Sequence, residues 1–275
     1  MRLHDLRNAS SVSIKRCHGL GNVVMLLPVL DQLAGNGLQV NLITRPQWTH
    51  VFQTLYPRIN VSDQYRADAI DLDAMTEPLK PNKHRTLEFA ELLGVEAPLE
   101  PPRFEIPKEW SRRFLDWTGA IGFAPEASHP SRRWPTEHAL TLASNVRSAP
   151  LVLLGATPVP TLPCALDTRG QLELEDLLGL LSVLRALICM DSGILHLGAA
   201  LGVPTICIFG GVDPLYRIAG NQQVLALQAN LTCCPCNKEE TCEGAYTCIK
   251  TTSPETVLEA LQRLEHVGGR QIQGV

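Results

Sequence analysis

The stretch CMDSGILHLGAALGVPTICIFGGVDP (residues 189–214) contains two short apolar runs, each followed by polar residues and glycine. The run that ends at Met190 and the later run TICIF have the continuous apolar pattern of strands buried on both faces of a parallel sheet. The residues after Gly193 predict a helix between them. Strand–helix–strand units of this kind build α/β folds, so the stretch predicts a parallel sheet with helices against it.

The same alternation extends along the chain in both directions. SVSIKRC (11–17) predicts a first strand, HRTLEFAELLGV (84–95) an amphipathic helix, and SPETVLEALQRLEHV (253–267) a terminal helix with serine as its cap. The connector EAPLEPPRFEIPKEW (96–110) carries four prolines and separates two such series. We therefore predict an α/β protein with two Rossmann-like, doubly wound domains that face a cleft, comprising residues 1–110 and 111–275.

Charge and hydropathy exclude several classes of protein. The net charge of −4 and the pI of about 6.1 argue against a nucleic-acid-binding protein. No apolar stretch reaches the ~20 residues that span a bilayer, and the N-terminal residues MRLHDLRNAS lack the apolar segment of a signal peptide. We expect a cytoplasmic protein, with contact at the periphery of the inner membrane left open.

The residues that follow the two apolar runs are suited to phosphate binding. Unpaired amides at a helix start attract anions, Gly193 permits close approach, and Ser192 and His196 add hydrogen-bond donors. Asp191 ends the strand before them. Helix capping and turn geometry are the alternative explanation. Upstream, SRRWPTEH (131–138) places arginines after another predicted strand, where Arg132 could bind phosphate or simply face solvent.

Five of the nine cysteines lie within residues 233–248. Thiolates are zinc ligands, and clustered cysteines in a cytosolic protein favour metal over disulfides. We predict a structural zinc site, whose ligands are Cys233, Cys236, Cys242 and Cys248. Redox-labile thiols or disulfides, unliganded thiols and an iron–sulfur centre remain alternatives.

Four segments together resemble glycosyltransferase family 9, the ADP-heptose:lipopolysaccharide heptosyltransferase family. They are RCHGLGNVVMLLPVLDQL (16–33), SRRWPTEH, residues 189–214 and the cysteine-bearing tail. The resemblance implies a GT-B fold with the acceptor on the N-terminal domain and the nucleotide sugar on the C-terminal domain. It implies inverting transfer without a catalytic metal or other cofactor, from a nucleotide-diphosphate sugar (an ADP-sugar is favoured) to a glycan or lipid-linked acceptor in lipopolysaccharide or surface-glycan assembly.

The resemblance also assigns roles at the predicted phosphate site. Ser192, Gly193 and His196 would hold the donor diphosphate. Arg132 would occupy the position of the phosphate-binding lysine of the family. Asp191 would orient the turn or contact the donor sugar. Heptose should not be assumed as that sugar.

The chain departs from the family at the proposed catalytic base. The family carries aspartate directly after the second glycine of the first loop, where this chain has Asn22, and an amide cannot accept the proton of an acceptor hydroxyl. We expect His18 to act instead, with Asp31 and Glu126 as further candidates. The alternative function is a catalytically altered GT-B module that binds nucleotide sugar or a partner without transfer. A nucleotide-sugar epimerase or a phosphorylase would use the same fold, but the acid and base residues of an epimerase are not evident.

Overall fold

The first half of the chain forms a parallel sheet of four strands. The computed structural model describes residues 6, 9–75, 83–96, 101–157, 160–218, 221, 223–237 and 242–271. The sheet has the strand order β3-β2-β1-β4. Its strands are β1 (Ser11–Lys15), β2 (Gln39–Ile43), β3 (Ile59–Ser62) and β4 (Ile70–Asp71).

The second half forms a parallel sheet of six strands in the order β10-β9-β8-β5-β6-β7. Its strands are β5 (Ile121–Ala124), β6 (Leu151–Leu153), β7 (Leu166–Asp167), β8 (Ala186–Met190), β9 (Thr205–Phe209) and β10 (Val224–Gln228). Counted from β5, this is the Rossmann order 3-2-1-4-5-6. The strand order reverses between β5 and β8, and ligands of such sheets bind at the carboxyl ends of the strands beside that reversal.

Helices connect the strands and cover the sheets. They are α1 (Leu20–Gly35), α2 (Pro46–Leu55), α3 (Arg85–Leu92), α4 (Lys108–Arg112), α5 (Thr136–Asn145), α6 (Leu174–Leu181), α7 (Gly193–Ala200), α8 (Leu215–Ile218), α9 (Thr247–Thr251) and α10 (Pro254–Gln271). None of the helices in the described ranges is long and apolar enough to cross a membrane.

Apolar burial holds the two halves together. Every residue of β8 and β9 is buried, as expected for parallel strands covered on both faces. One apolar cluster continues from Ile14 in the first sheet through Leu27 in α1 to Leu187 and Leu195 in the second half. Burying each such side chain contributes roughly 1.5–3 kcal/mol relative to its exposure, so this shared core favours contact between the halves.

The two sheets confirm the predicted α/β class and the doubly wound architecture. The predicted strand 11–17 ends at Lys15, and the predicted helix 84–95 spans Arg85–Leu92. The terminal helix begins at Pro254, where the Ser253 hydroxyl accepts a hydrogen bond from the Thr256 amide at 3.3 Å. The division at residues 110 and 111 stays a prediction; it falls inside α4, which packs against α6.

Candidate active site

A cavity of about 1040 Å³ lies between the two halves, at the carboxyl ends of their strands. The first half contributes the start of α1 and the start of α2, and the second contributes the segments that follow β5, β6, β7 and β8. Pockets for small ligands usually measure about 300–1,000 Å³. The cavity therefore has room for a large ligand or for two ligands that meet between the halves.

The first turn of α7 forms one wall of this cavity. Ser192 is the N-cap residue, and its side chain makes no capping hydrogen bond to the helix. A Cβ added at Gly193 would lie 3.1 Å from Leu20 Cβ and 3.5 Å from the Gly21 backbone nitrogen. The start of α7 therefore lies against the start of α1. Both helix starts present unpaired amides with a partial positive charge, which favour an anion.

Asp191 lies buried behind this turn, between two arginines. The side chain of Asp191 is 2% exposed. Arg132 Nη1 donates to the Asp191 backbone oxygen at 2.8 Å and lies 3.6 Å from its Oδ2, whereas Arg217 Nε lies 3.4 Å from its Oδ1. Because the carboxylate is buried between these cations, its geometry suits holding the two guanidinium groups in place.

His196 is buried at the contact between the two halves. A Cβ added at Gly21 would lie only 2.3 Å from His196 Cδ2, so the ring packs directly against the first turn of α1. Burial, reinforced by the nearby charges of Arg217 and His84, lowers the pKa of His196 to about 3. The ring is therefore neutral near pH 7, and the positive charge of the wall comes from the arginines.

The low pKa of His196 predicts a loss of stability in acid. An unfolded chain protonates histidine near pH 6.5, so below that pH the unfolded state binds more protons than the folded state. The stability that neutral His196 provides is complete above pH 6.5 and falls by up to about 1.4 kcal/mol per pH unit on the way down towards the folded pKa. We expect the free energy of unfolding to drop by about 1–2 kcal/mol more between pH 7 and 5 in the wild type than in His196→Gln, as measured with urea. Equal losses of unfolding free energy in the wild type and in His196→Gln would show that His196 is not the source of the acid sensitivity.

Asn22 and His18 belong to the same loop, but His18 is not among the described residues that line the cavity. Asn22 lines it, and its side-chain nitrogen donates to the His18 backbone oxygen at 3.4 Å. The side chain of His18 is 75% exposed, and its Nδ1 lies 3.4 Å from Asp73 Oδ1. Asp73 also accepts hydrogen bonds from the Cys17 and His18 amides at 2.9 and 3.0 Å. The carboxylate thus fixes the backbone of this loop and lies close to the ring of His18.

The two other candidate bases differ in location. Asp31 lies on α1 and pairs with Arg58 at 2.8 Å, and it is not among the described residues that line the cavity. Glu126 does line the cavity, where its carboxylate accepts hydrogen bonds from the Ala156 and Thr157 amides at 3.1 Å. These bonds fix Glu126 beside the loop that follows β6.

The cysteine segment packs against the loop after β9. Cys234 Sγ donates to the Gly210 backbone oxygen at 3.5 Å, and the Asn237 amide donates to the Gly211 oxygen at 2.7 Å. Asn237 Oδ1 in turn accepts a hydrogen bond from the Asp213 amide at 2.9 Å. The segment therefore supports the turn that leads into α8.

The residues described here contain no group of three or more His, Cys, Asp or Glu side chains arranged to hold a metal ion. The predicted ligands Cys233, Cys236, Cys242 and Cys248 are all free thiols, with Cys233 exposed and Cys248 buried. Burial and the neighbouring Cys248 raise the pKa of Cys234 to about 12, so this thiol is protonated. These residues do not form a preassembled tetrahedral site, and structural zinc stays a prediction.

Sequence patterns alone missed two residues of this region. Arg217, in α8, lines the cavity beside Asp191. Asp73 follows β4, a strand of two residues that was not predicted. The alternation of IDLD (70–73) and the aspartate–proline turn before α8 are the local signals that could have marked them.

Comparison with protein families gives one match over more than half of the chain. The family described as Glycosyltransferase family 9 (heptosyltransferase) matches residues 75–247. Lipopolysaccharide heptosyltransferase 2 of Salmonella typhimurium is 26% identical over 160 residues, which cover 52% of this chain and 46% of that protein. The chain thus spans about half the length of the curated relatives it matches.

Solved structures share the fold at low sequence identity. The iron-containing dodecameric glycosyltransferase TibC from enterotoxigenic E. coli H10407 has a TM-score of 0.76 and 14% identity, over 97% of this chain and 80% of that one. E. coli heptosyltransferase WaaC with ADP-2-deoxy-2-fluoro heptose has a TM-score of 0.63 and 15% identity, over 92% of this chain and 99% of that one. At these identities the likeness concerns the fold alone, and it confirms the predicted GT-B architecture.

Proposed function

Because the chain belongs to glycosyltransferase family 9, we propose that it transfers a sugar from a nucleotide-diphosphate donor to a glycan-type acceptor in lipopolysaccharide or surface-glycan assembly. The observation that carries this proposal is the cavity between the halves, where the first turn of α7 and Arg132 meet the start of α1. Transfer proceeds with inversion and without a catalytic metal. The proposed location is the cytoplasm, at the periphery of the inner membrane.

The donor diphosphate would lie at the first turn of α7. Helix amides, the Ser192 hydroxyl and the neutral His196 ring are hydrogen-bond donors there, and Arg132 supplies positive charge. The nucleoside would extend towards the loops after β6 and β7. There the Glu126 carboxylate already accepts hydrogen bonds from two backbone amides, and its negative charge disfavours a second anion. An ADP-sugar is favoured as donor because WaaC, which shares the fold, is described with ADP-2-deoxy-2-fluoro heptose.

These groups would act on the leaving group. An acceptor hydroxyl attacks the anomeric carbon from the face opposite the diphosphate, a new C–O bond forms, and the bond from that carbon to the phosphate oxygen breaks. The electron pair of that bond leaves with the diphosphate, whose added negative charge Arg132 and the α7 amides stabilise. The hydroxyl proton passes to a base on the side of the first half.

His18 is the proposed base, and Asp73 positions it. A carboxylate beside a histidine fixes the orientation of its ring, as in catalytic triads. Asp73 lies 3.4 Å from His18 Nδ1 and is bonded to two amides of the same loop. Asn22 lines the cavity nearby but cannot accept a proton at neutral pH, so it is assigned to acceptor binding.

We expect His18→Ala to lower kcat by about 10²–10⁴-fold, the usual contribution of a general base. Asp73→Asn should lower kcat less, because the imidazole base stays in place and only its positioning contact is weakened. His50→Ala is the matched control, because His50 is 73% exposed and lies 3.3 Å from Glu175. A His18→Ala variant whose kcat and pH profile equal those of the control would exclude His18 as the base.

The function is tested with a panel of ADP-, UDP-, GDP- and CDP-sugars, including ADP-heptose, together with heptose-deficient lipopolysaccharide as acceptor. The proposal predicts acceptor-dependent release of one nucleoside diphosphate and a product heavier by one sugar in mass spectrometry. Release without an acceptor would indicate hydrolysis instead. No release from any donor, with binding intact, would contradict transfer.

The second candidate function is a module that binds nucleotide sugar without transferring it. The observation that favours it is Asn22 at the position where the family carries its proposed base. In this case nucleotide sugars would bind the wild type, and replacing Asn22 with aspartate would create transfer activity. The same variant should change activity only modestly if His18 already serves as the base.

A further inference from the structure

Arg217 is the least exposed of the cations in the cavity wall. It lies in α8, after the turn of residues 210–214, and its side chain is 9% exposed. The side chain of Arg132, for comparison, is 19% exposed. Both halves hold Arg217 in place, because the His84 ring at the start of α3 is hydrogen-bonded to its backbone. The position of this guanidinium group is therefore set before any ligand arrives.

The hydrogen bonding of Arg217 is incomplete. Its Nε lies 3.4 Å from Asp191 Oδ1, on a carboxylate that also faces Arg132. Its Nη1 is buried and has no hydrogen-bond partner among the residues that the structure describes. Buried polar groups nearly always have partners, so a buried guanidinium nitrogen without one, on a residue that lines a cavity, indicates a missing ligand.

The charges around Arg217 indicate the kind of ligand. Arg132 and Arg217 are positive, Asp191 is negative, and His196 is neutral at pH 7, so the buried groups of this wall leave one positive charge unbalanced. A guanidinium group binds two oxygens of a phosphate with a planar pair of N–H groups, whereas an ammonium acts as a point charge. A multiply charged phosphate therefore matches this wall better than a neutral sugar.

We infer that Arg217 is a second phosphate-binding arginine, which holds the diphosphate of the donor through Nη1 while Asp191 fixes its orientation through Nε. The inference rests on the proposed function and adds a residue to the donor site. Arg132 and Arg217 would then grip the diphosphate from the two sides of Asp191, since each contacts a different oxygen of that carboxylate.

The experiment measures binding of inorganic pyrophosphate and of ADP to the full chain by titration calorimetry. Arg217→Met should weaken pyrophosphate binding by about 10- to 100-fold, the range for a lost hydrogen bond to a charged group. Arg217→Lys keeps a positive charge beside Asp191 and should weaken pyrophosphate binding by a smaller factor. Arg112→Met is the control, because Arg112 is exposed at the end of α4. Thermal unfolding of each variant shows whether it is folded.

The outcomes separate this inference from the proposed function. If Arg217→Lys and Arg217→Met are folded and bind pyrophosphate as tightly as the wild type, Arg217 serves only Asp191 and the inference is wrong, while transfer is unaffected. If Arg217→Met does not fold, the Arg217→Lys result decides. Arg217-dependent binding in a protein that transfers no sugar would support the inference and contradict the proposed function. A wild type that binds neither pyrophosphate nor ADP would overturn both.

Discussion

Replacing Arg132 with methionine is expected to lower kcat by about 10²–10³-fold, the usual effect of removing one group that stabilises charge in a transition state. The Arg132 guanidinium is held on one side by the Asp191 backbone oxygen at 2.8 Å and on the other by Ser128 Oγ at 3.0 Å. Its Nε has no hydrogen-bond partner in the described part of the chain. Methionine removes the charge that the proposed leaving group requires, and steady-state kinetics with the preferred donor measure the loss.

Two further variants make the Arg132 prediction specific. Arg132→Lys should stay within about tenfold of the wild type, because the resemblance places the phosphate-binding lysine of the family at this position. Arg112→Met, at an exposed position of α4, should leave kcat unchanged. An Arg132→Met protein that is folded and retains kcat within threefold would remove Arg132 from the proposed mechanism.

The substitution Gly21→Ala is expected to damage both stability and activity, because the added Cβ would lie 2.3 Å from His196 Cδ2 and 3.0 Å from its Nε2. The ring is buried at the contact between the two halves, so it has to shift to admit the added Cβ. Overpacking of this kind usually costs about 1–3 kcal/mol, and a displaced His196 and α7 start should lower kcat by at least about tenfold. Urea unfolding and steady-state kinetics measure the two effects.

The chain offers a control and a suppressor for Gly21→Ala. Gly35 ends the same helix, and a Cβ there would meet only the flexible Arg58 Nη1 at 3.6 Å, so Gly35→Ala should be neutral or slightly stabilising. His196→Ala removes the ring that collides, so adding Gly21→Ala to it should cause little further loss of stability. Additive losses in the double variant would show that the two residues do not clash.

Much of the donor side followed from the sequence because the governing interactions are local. The continuous apolar runs before Asp191 and after Pro204 predicted buried parallel strands, and β8 and β9 are buried throughout. Parallel strands end at the same edge of a sheet, so the residues that follow β5 and β8 were expected to meet at one cavity. The structure brings Arg132, Asp191, Ser192, Gly193 and His196 together there.

The residues that were missed depend on how distant segments pack. Arg217 becomes part of the cavity because its helix is held by His84, which lies in the other half of the chain. Asp73 reaches His18 across 55 positions of sequence through β4, which has only two residues and no apolar run of its own. Glu126 was a predicted candidate, but its partners were not predicted, because the amides that it binds lie 30 and 31 positions away. Local periodicity carries no information about such pairings.

The packing of the cysteine-bearing tail has a consequence for the order in which this protein becomes functional during synthesis. The loop of residues 210–213 is held by Asn237 and Cys234, and the segment that contains Arg132 is held by a hydrogen bond of 2.8 Å from Trp134 Nε1 to the Thr252 oxygen. A ribosome completes both loops before it makes the residues that hold them. A nascent chain that has emerged from the ribosome as far as residue 230 therefore contains the strands of both sheets but lacks the residues that hold these two loops. Nucleotide binding at the proposed donor site is expected only after residue 252 has left the exit tunnel.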